Sequence, residues 1–157
     1  MSQQDLFGDL NMKFKQNYTI RWHDTNANRE ITPSAILTLM QETTNKHIQT
    51  IYPTLEYIRD ELHQAFILSK IYMRFYEPAY AYDDVTVETW TGEESRGFTF
   101  YRSFCVKKGD IIIADALTLW CLVDTENQKL LPVTKFENNF VDEPSLKIAM
   151  PRRVKFP

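Results

Sequence analysis

Two features of the chain predict an α+β fold: one apolar-striped helical stretch near the start, and a succession of period-two segments after it. Between Pro33 and Tyr52, apolar residues recur at Ile36, Leu37, Met40, Ile48 and Ile51, with Thr43, Thr44 and His47 filling the same stripe. This is the spacing of a helix with one face turned to a core. The later segments, from Phe66 to Asp124, alternate apolar and polar residues in the manner of half-buried strands. One strand, one long helix and then four antiparallel strands describe a sheet wrapped around a central helix, the hot-dog architecture.

Residues 1–11 are polar and lack a period, and are expected to form a flexible lead-in. The domain itself is expected over residues 12–134, with 135–157 a linker or tail. It opens on a strand in which Met12, Phe14, Tyr18, Ile20 and Trp22 share one face and Lys13, Lys15, Asn17, Thr19 and Arg21 the other. His23 to Glu30 is a polar turn. Thr32-Pro33 then starts the helix: the threonine hydroxyl can accept from a free amide, and proline is tolerated at the first helical position. Pro53 stops it, since proline cannot continue the hydrogen-bond ladder. A helix of about eighteen residues spans roughly 27 Å, enough to run along a small sheet. Thr54 to His63 suggests a second, short helix carrying Leu55, Ile58 and Leu62.

The strands follow. Phe66 to Tyr76 places Ile67, Ile71, Met73 and Phe75 on one face, and Val85 to Trp90 comes after the turn residues Glu77-Pro78 and Asp83-Asp84. Phe98, Phe100, Phe104 and Val106 mark the apolar face of the next strand, and Lys107 to Asp110 makes a hairpin connection. Ile111 to Asp124 is the longest strand, where small Ala114 and Ala116 allow the helix to come close.

With 157 residues the chain can build one sizeable core. Its ten Phe and eight Tyr favour strands and offer large surfaces to bury. A net charge of −3 and a pI near 5.6 argue against nucleic-acid binding, which leaves a basic footprint. Cys105 and Cys121 lie in strand-like runs without metal spacing and read as buried thiols of a reducing compartment. The N-terminal residues do not have the pattern of a secretory signal, and no run approaches about eighteen apolar residues. A cytoplasmic protein without a membrane partner is expected.

Specific stretches carry a resemblance. Tyr18-x-Ile-Arg-x-His-Asp-Thr-Asn-Ala-Asn, followed by Ser34-Ala-Ile-Leu-x-x-Met-Gln-Glu, resembles the acyl-acyl-carrier-protein (acyl-ACP) thioesterase family. Leu119 to Lys129 looks like the last strand and turn of that family's first hot-dog, and Pro151-Arg-Arg-Val-Lys resembles the segment leading out of it. The resemblance covers about residues 13–157, with its motifs in order. It implies two fused hot-dogs, of which the second carries the catalytic residues, including an Asn-x-His motif. This chain then corresponds to the N-terminal half, which holds the acyl tail of a substrate borne on acyl carrier protein. Its partner is the second hot-dog half or, failing that, another copy of itself.

Thioester hydrolysis needs a carboxylate to attack or to activate water, and donors for the oxyanion. Asp24 stands just before the helix, where the resemblance to single-domain hot-dog thioesterases places an acid within a run like Asp-x-Asp-x-x-Gly-His. Here Asn26 replaces the second acid, and Arg29-Glu30 occupies the Gly-His position. Glu42 on the helix is the other candidate acid. His47 shares the buried stripe and reads as a core histidine. Ile36, Met40, Phe66, Leu68 and Trp120 are candidate lining residues for an acyl channel, and equally core residues. The chain shows no metal-binding spacing, phosphate loop or nucleophile elbow, so no cofactor is implied. Two further readings stay open: a free-standing dimeric hot-dog that hydrolyses acyl-CoA with Asp24 or Glu42, and a non-catalytic acyl-binding protein.

Overall fold

The computed structural model describes residues 13–50, 53–91 and 97–135. Its elements are β1 (Phe14–Thr19), α1 (Pro33–Gln49), α2 (Leu55–Asp60), β2 (Gln64–Phe75), β3 (Asp84–Trp90), β4 (Phe100–Lys108), β5 (Ile111–Asp124) and β6 (Lys129–Leu131). All pairings are antiparallel in the order β1-β3-β4-β5-β2, and β6 pairs with the end of β5. The sheet curls around α1, giving the hot-dog fold. The lead-in and nearly all of the tail lie outside the described residues, as do Met12, Ile51 and Tyr52.

Helix α1 begins as its sequence dictates. The Thr32 side chain accepts from the Ala35 amide at 3.2 Å, with Pro33 in the first turn. The helix buries Ala35, Ile36, Met40, Thr43, Thr44 and Ile48. The two threonines sit on an apolar stripe because their hydroxyls donate back to the Leu39 and Met40 carbonyls. Thr43 also hydrogen-bonds the Tyr18 hydroxyl at 2.9 Å, tying α1 to β1.

Ile36 and Met40 pack on Val85, Val87, Phe104, Val106, Ala114 and Ala116 in the main core. The two alanines are fully buried, so the helix meets that part of the sheet at close range. On the opposite face of the sheet, Trp90, Cys105 and Leu117 form a second cluster. Beneath α2, Ile58 and Leu122 make a third with Phe66 and Phe100 packed against them.

Several details differ from the sequence reading. Trp22 does not continue the first strand: it enters a 3-10 turn at Trp22–Asp24 and is half-exposed. Ile67 does not share a face with Ile71, Met73 and Phe75. A bulge between Leu68 and Lys70 shifts the phase of β2, so Phe66 and Leu68 take the helix-facing side before it and Ile71, Met73 and Phe75 after it. Phe98 precedes β4 and is half-exposed, as is Leu62 just beyond α2. Both cysteines are free thiols, but Cys121 is only half-buried, because it lies on the outward phase of β5. The β4–β5 hairpin turns at Gly109-Asp110, with Gly109 left-handed at φ 59°.

Candidate functional site

The two ends of α1 carry different chemistry. At the N-terminal end lies the turn containing Asp24. Its carboxylate accepts from Arg21 Nε and Nη2 at 3.0 and 2.9 Å, and from the Arg21 amide at 3.1 Å. The Arg21 guanidinium thereby holds the Asp24 carboxyl below the usual carboxylate range. Asn26 Oδ1 accepts the amides of Asn28 and Glu30, closing the loop on itself. Arg29, standing where a glycine is the ordinary choice, is nevertheless left-handed at φ 63°, and its guanidinium lies 5.1 Å from the Trp22 ring centre. Backbone bonds from Ile31 to Ala79 and from Ala81 to Arg29 fasten the turn to the loop before β3.

At the C-terminal end lies a cavity of about 650 Å³ between α1, α2 and the inner face of the sheet. Its apolar wall is made by Ile48, Ile58, Phe66, Phe100 and Trp120, with Phe66 and Phe100 in edge-to-face contact at 5.3 Å. The exposed residues Asn45, Arg59 and Thr134 mark its mouth.

Thr44, Thr91 and Tyr101 also line the cavity, and two further polar residues, Arg102 and Gln64, stand in its wall. Arg102 is buried on the helix-facing phase of β4, between Phe100 and Phe104. Its Nη1 donates to His47 Nδ1 at 3.0 Å and to Thr89 Oγ1 at 3.1 Å. Burial pulls the guanidinium down to about 10, so it stays charged at neutral pH. Because Nδ1 accepts, His47 is the neutral tautomer protonated at Nε2. Burial first, and the nearby Arg102 charge second, depress its imidazole to about 4. The ring also stacks on Phe14 with centroids 4.9 Å apart. The second group is Gln64, whose buried Oε1 has no hydrogen-bond partner among the described residues.

The expected site residues therefore separate. Asp24 and the exposed Glu42 are both absent from the cavity wall, and Glu42 lies about 14 Å along α1 from its start. Of the candidate channel residues, Phe66 and Trp120 line the cavity. Ile36 and Met40 belong to the main core, each 1% exposed, and Leu68 is half-buried outside the wall. Arg102 and Gln64 were not anticipated. The signal for Arg102 was a charged residue in phase with Phe98, Phe100, Phe104 and Val106, the apolar positions of its strand. Among the described residues, no group of three or more His, Cys, Asp and Glu could hold a metal ion, and no helix is long and apolar enough to cross a membrane.

Residues 11–139 match the acyl-ACP thioesterase N-terminal domain. The chain belongs to that family. Among solved structures, an acyl-ACP thioesterase from Bacteroides thetaiotaomicron superposes with a TM-score of 0.76 at 17% identity, covering 99% of this chain and 61% of that one. A putative oleoyl thioesterase from Lactobacillus plantarum gives 0.77 at 12% identity, covering 92% and 57%. The chain thus spans about three-fifths of the length of either. The probable thioesterase YbaW from Escherichia coli gives 0.67 at 17% identity, covering 77% of this chain and 90% of that one. At these identities the superpositions establish the hot-dog fold. No curated protein matches the chain.

Proposed function

We propose that this chain is the N-terminal, acyl-holding half of an acyl-ACP thioesterase, an enzyme that hydrolyses fatty acyl thioesters of acyl carrier protein during fatty-acid synthesis. The observation that carries this reading is the apolar cavity at the C-terminal end of α1. Each methylene buried there contributes about 0.8 kcal/mol, so an alkyl tail can be held without any catalytic group. Hydrolysis requires a placed carboxylate and oxyanion donors, which the fused second hot-dog would supply. Asp24 is poorly suited to that role here, since both of its oxygens are held by Arg21.

One observation favours the free-standing acyl-CoA thioesterase instead. Arg29 keeps a left-handed backbone where the single-domain motif has glycine, so the turn preserves a local shape that its residues no longer demand. A thioester assay separates the two readings. Residues 1–157 should bind a medium- or long-chain acyl group, and hydrolyse its thioester barely above background. Wild type, Asp24→Asn and Glu42→Gln should behave alike in both respects. Robust turnover abolished by either substitution would replace the half-enzyme reading with the free-standing one.

A further inference from the structure

Gln64 is out of keeping with the apolar side of the cavity. It opens β2 on the helix-facing phase that Phe66 and Leu68 continue, and its buried Oε1 has no hydrogen-bond partner among the described residues. An amide oxygen shut away from water without a donor carries a cost that folded proteins rarely leave standing. Donors of the wall are committed elsewhere. Thr44 Oγ1 donates to the Met40 carbonyl, Trp120 Nε1 donates to Thr118 Oγ1, and Arg59 is bonded to Asp60. Across β5, Gln64 pairs with Asp124, whose carboxylate is itself an acceptor and is taken up by the amides of Glu126 and Asn127 and by Asn127 Nδ2.

The chemistry of a fitting partner follows from the acceptor. Ketone, ester and carboxylate groups only accept, so they cannot answer Oε1. An ammonium donates but brings a charge into an apolar space, and an amide N–H comes with a carbonyl that then needs a donor of its own. A hydroxyl donates, is small, and is the least costly of these to carry past Ile48, Ile58, Phe66 and Phe100. The cavity is roomy enough for water, which a saturated chain would displace while leaving Oε1 unanswered. A chain with a hydroxyl in reach would put a hydrogen bond back.

We infer that the cavity selects an aliphatic chain carrying a hydroxyl group, donated to Gln64 Oε1, over the unsubstituted chain of the same length. The inference rests on the acyl-holding reading and narrows it to a class of substrate, the hydroxylated acyl thioesters. Gln64 is then a specificity residue that touches the chain and takes no part in hydrolysis. It is one acceptor at the α2 end of the wall, so the advantage belongs to one region of the chain and not to hydroxylation in general.

Calorimetric titration of residues 1–157 with methyl dodecanoate and its hydroxylated forms, bearing the hydroxyl near the ester, in mid-chain or at the chain end, tests the inference. At one of these positions the hydroxy ester should bind about fivefold or more tighter than the plain ester, as one buried hydrogen bond predicts. The oxo ester of the same position, which can only accept, should show no gain. In Gln64→Met the gain should vanish, while the plain ester binds at least as well as in wild type. Binding of the plain ester with no advantage at any position would overturn the inference and leave the acyl-holding reading intact. An equal gain for the oxo ester, or a gain that survives in Gln64→Met, would likewise overturn it by assigning the contact to another group. Failure of every ester to bind would remove the inference and the acyl-holding reading together. Should Gln64→Met lose its circular dichroism signal, the wild-type comparison of hydroxy with oxo ester still decides.

Discussion

At the N-terminal end of α1 the polar groups answer one another. Asp24 is held by Arg21, Asn26 by its own loop, and the backbone by the strand-like bridges to residues 80 and 31. At the C-terminal end a charged guanidinium and an unsatisfied amide oxygen line a cavity, and a neutral imidazole outside its wall accepts from the guanidinium. Most of the first set is exposed to water, where each pair contributes little. The second is withdrawn from water, where every polar group either has a use or carries a cost. A sequence motif pointed to the first end, while burial and the partnerless Gln64 oxygen point to the second.

The largest effects should come from telling core from cavity. Met40→Ala removes a side chain from the closed part of the interior and should cost about 2–5 kcal/mol in denaturant unfolding, with acyl affinity per folded molecule little changed. Phe66→Ala enlarges a space that already exists. It should weaken acyl binding by about tenfold or more while costing less stability than Met40→Ala. A reversed pattern would mean that the acyl chain runs along the middle of α1.

The ends should also titrate in separate windows. His47 falls from its ordinary 6.5 to about 4 in the folded protein. Between those values the unfolded chain binds more protons than the folded one, so stability must fall as pH drops from 6.5 toward 4 and then level off. Allowing for its partial exposure to solvent, the loss is about 2 kcal/mol. His47→Gln should flatten that window. Asp24 acts lower: its folded carboxyl is depressed, so its contribution is present above the ordinary carboxylate range and is lost as pH falls through its own folded value. Urea midpoints measured across the acid range should resolve the two.

The helix was legible because every local signal agreed: a capping threonine, a proline at the start, a stripe at helical spacing and a proline after it. The β2 bulge was not. It arises from pairing against β5, and no glycine or proline marks Ser69. Trp22 misled because an aromatic residue in phase with Ile20 looks the same whether or not the strand continues. The position of the cavity was not legible, since it is a shortfall of packing between residues as distant as Ile48 and Trp120. Arg102 was legible in principle, as the one charge in an apolar phase, but its partner His47 is 55 residues away in the chain.

The sheet edge offers a smaller test. No strand covers the outer side of β2 among the described residues, and Ile67 near the cavity and Phe75 at the far end are both about half exposed. Such an edge tends to find a partner. Residues 1–157 should self-associate, and Ile67→Lys or Phe75→Lys should weaken association by about tenfold, roughly 1.4 kcal/mol. Light scattering that shows a clean wild-type monomer at high concentration would count against this. A loss confined to Ile67→Lys would place the partner at the cavity end.

The smallest expected effect lies in the closed turn. Holding Arg29 left-handed costs about 1 kcal/mol relative to an ordinary backbone, and glycine would relieve it. Arg29→Gly also gives up the cation–ring contact with Trp22, about 0.5 kcal/mol at an exposed site, and loosens the unfolded chain by a comparable amount. The net change should lie within about 0.5 kcal/mol of zero. Arg29→Ala keeps the strained backbone and loses the ring contact, so it should be the less stable of the two. Adding Glu30→His to Arg29→Gly restores the Gly-His pair of the single-domain motif, yet leaves Arg21 bonded to Asp24. No thioester turnover should appear in that double variant. If it did appear, the missing pair rather than the occupied carboxylate would be what silences this end of the helix.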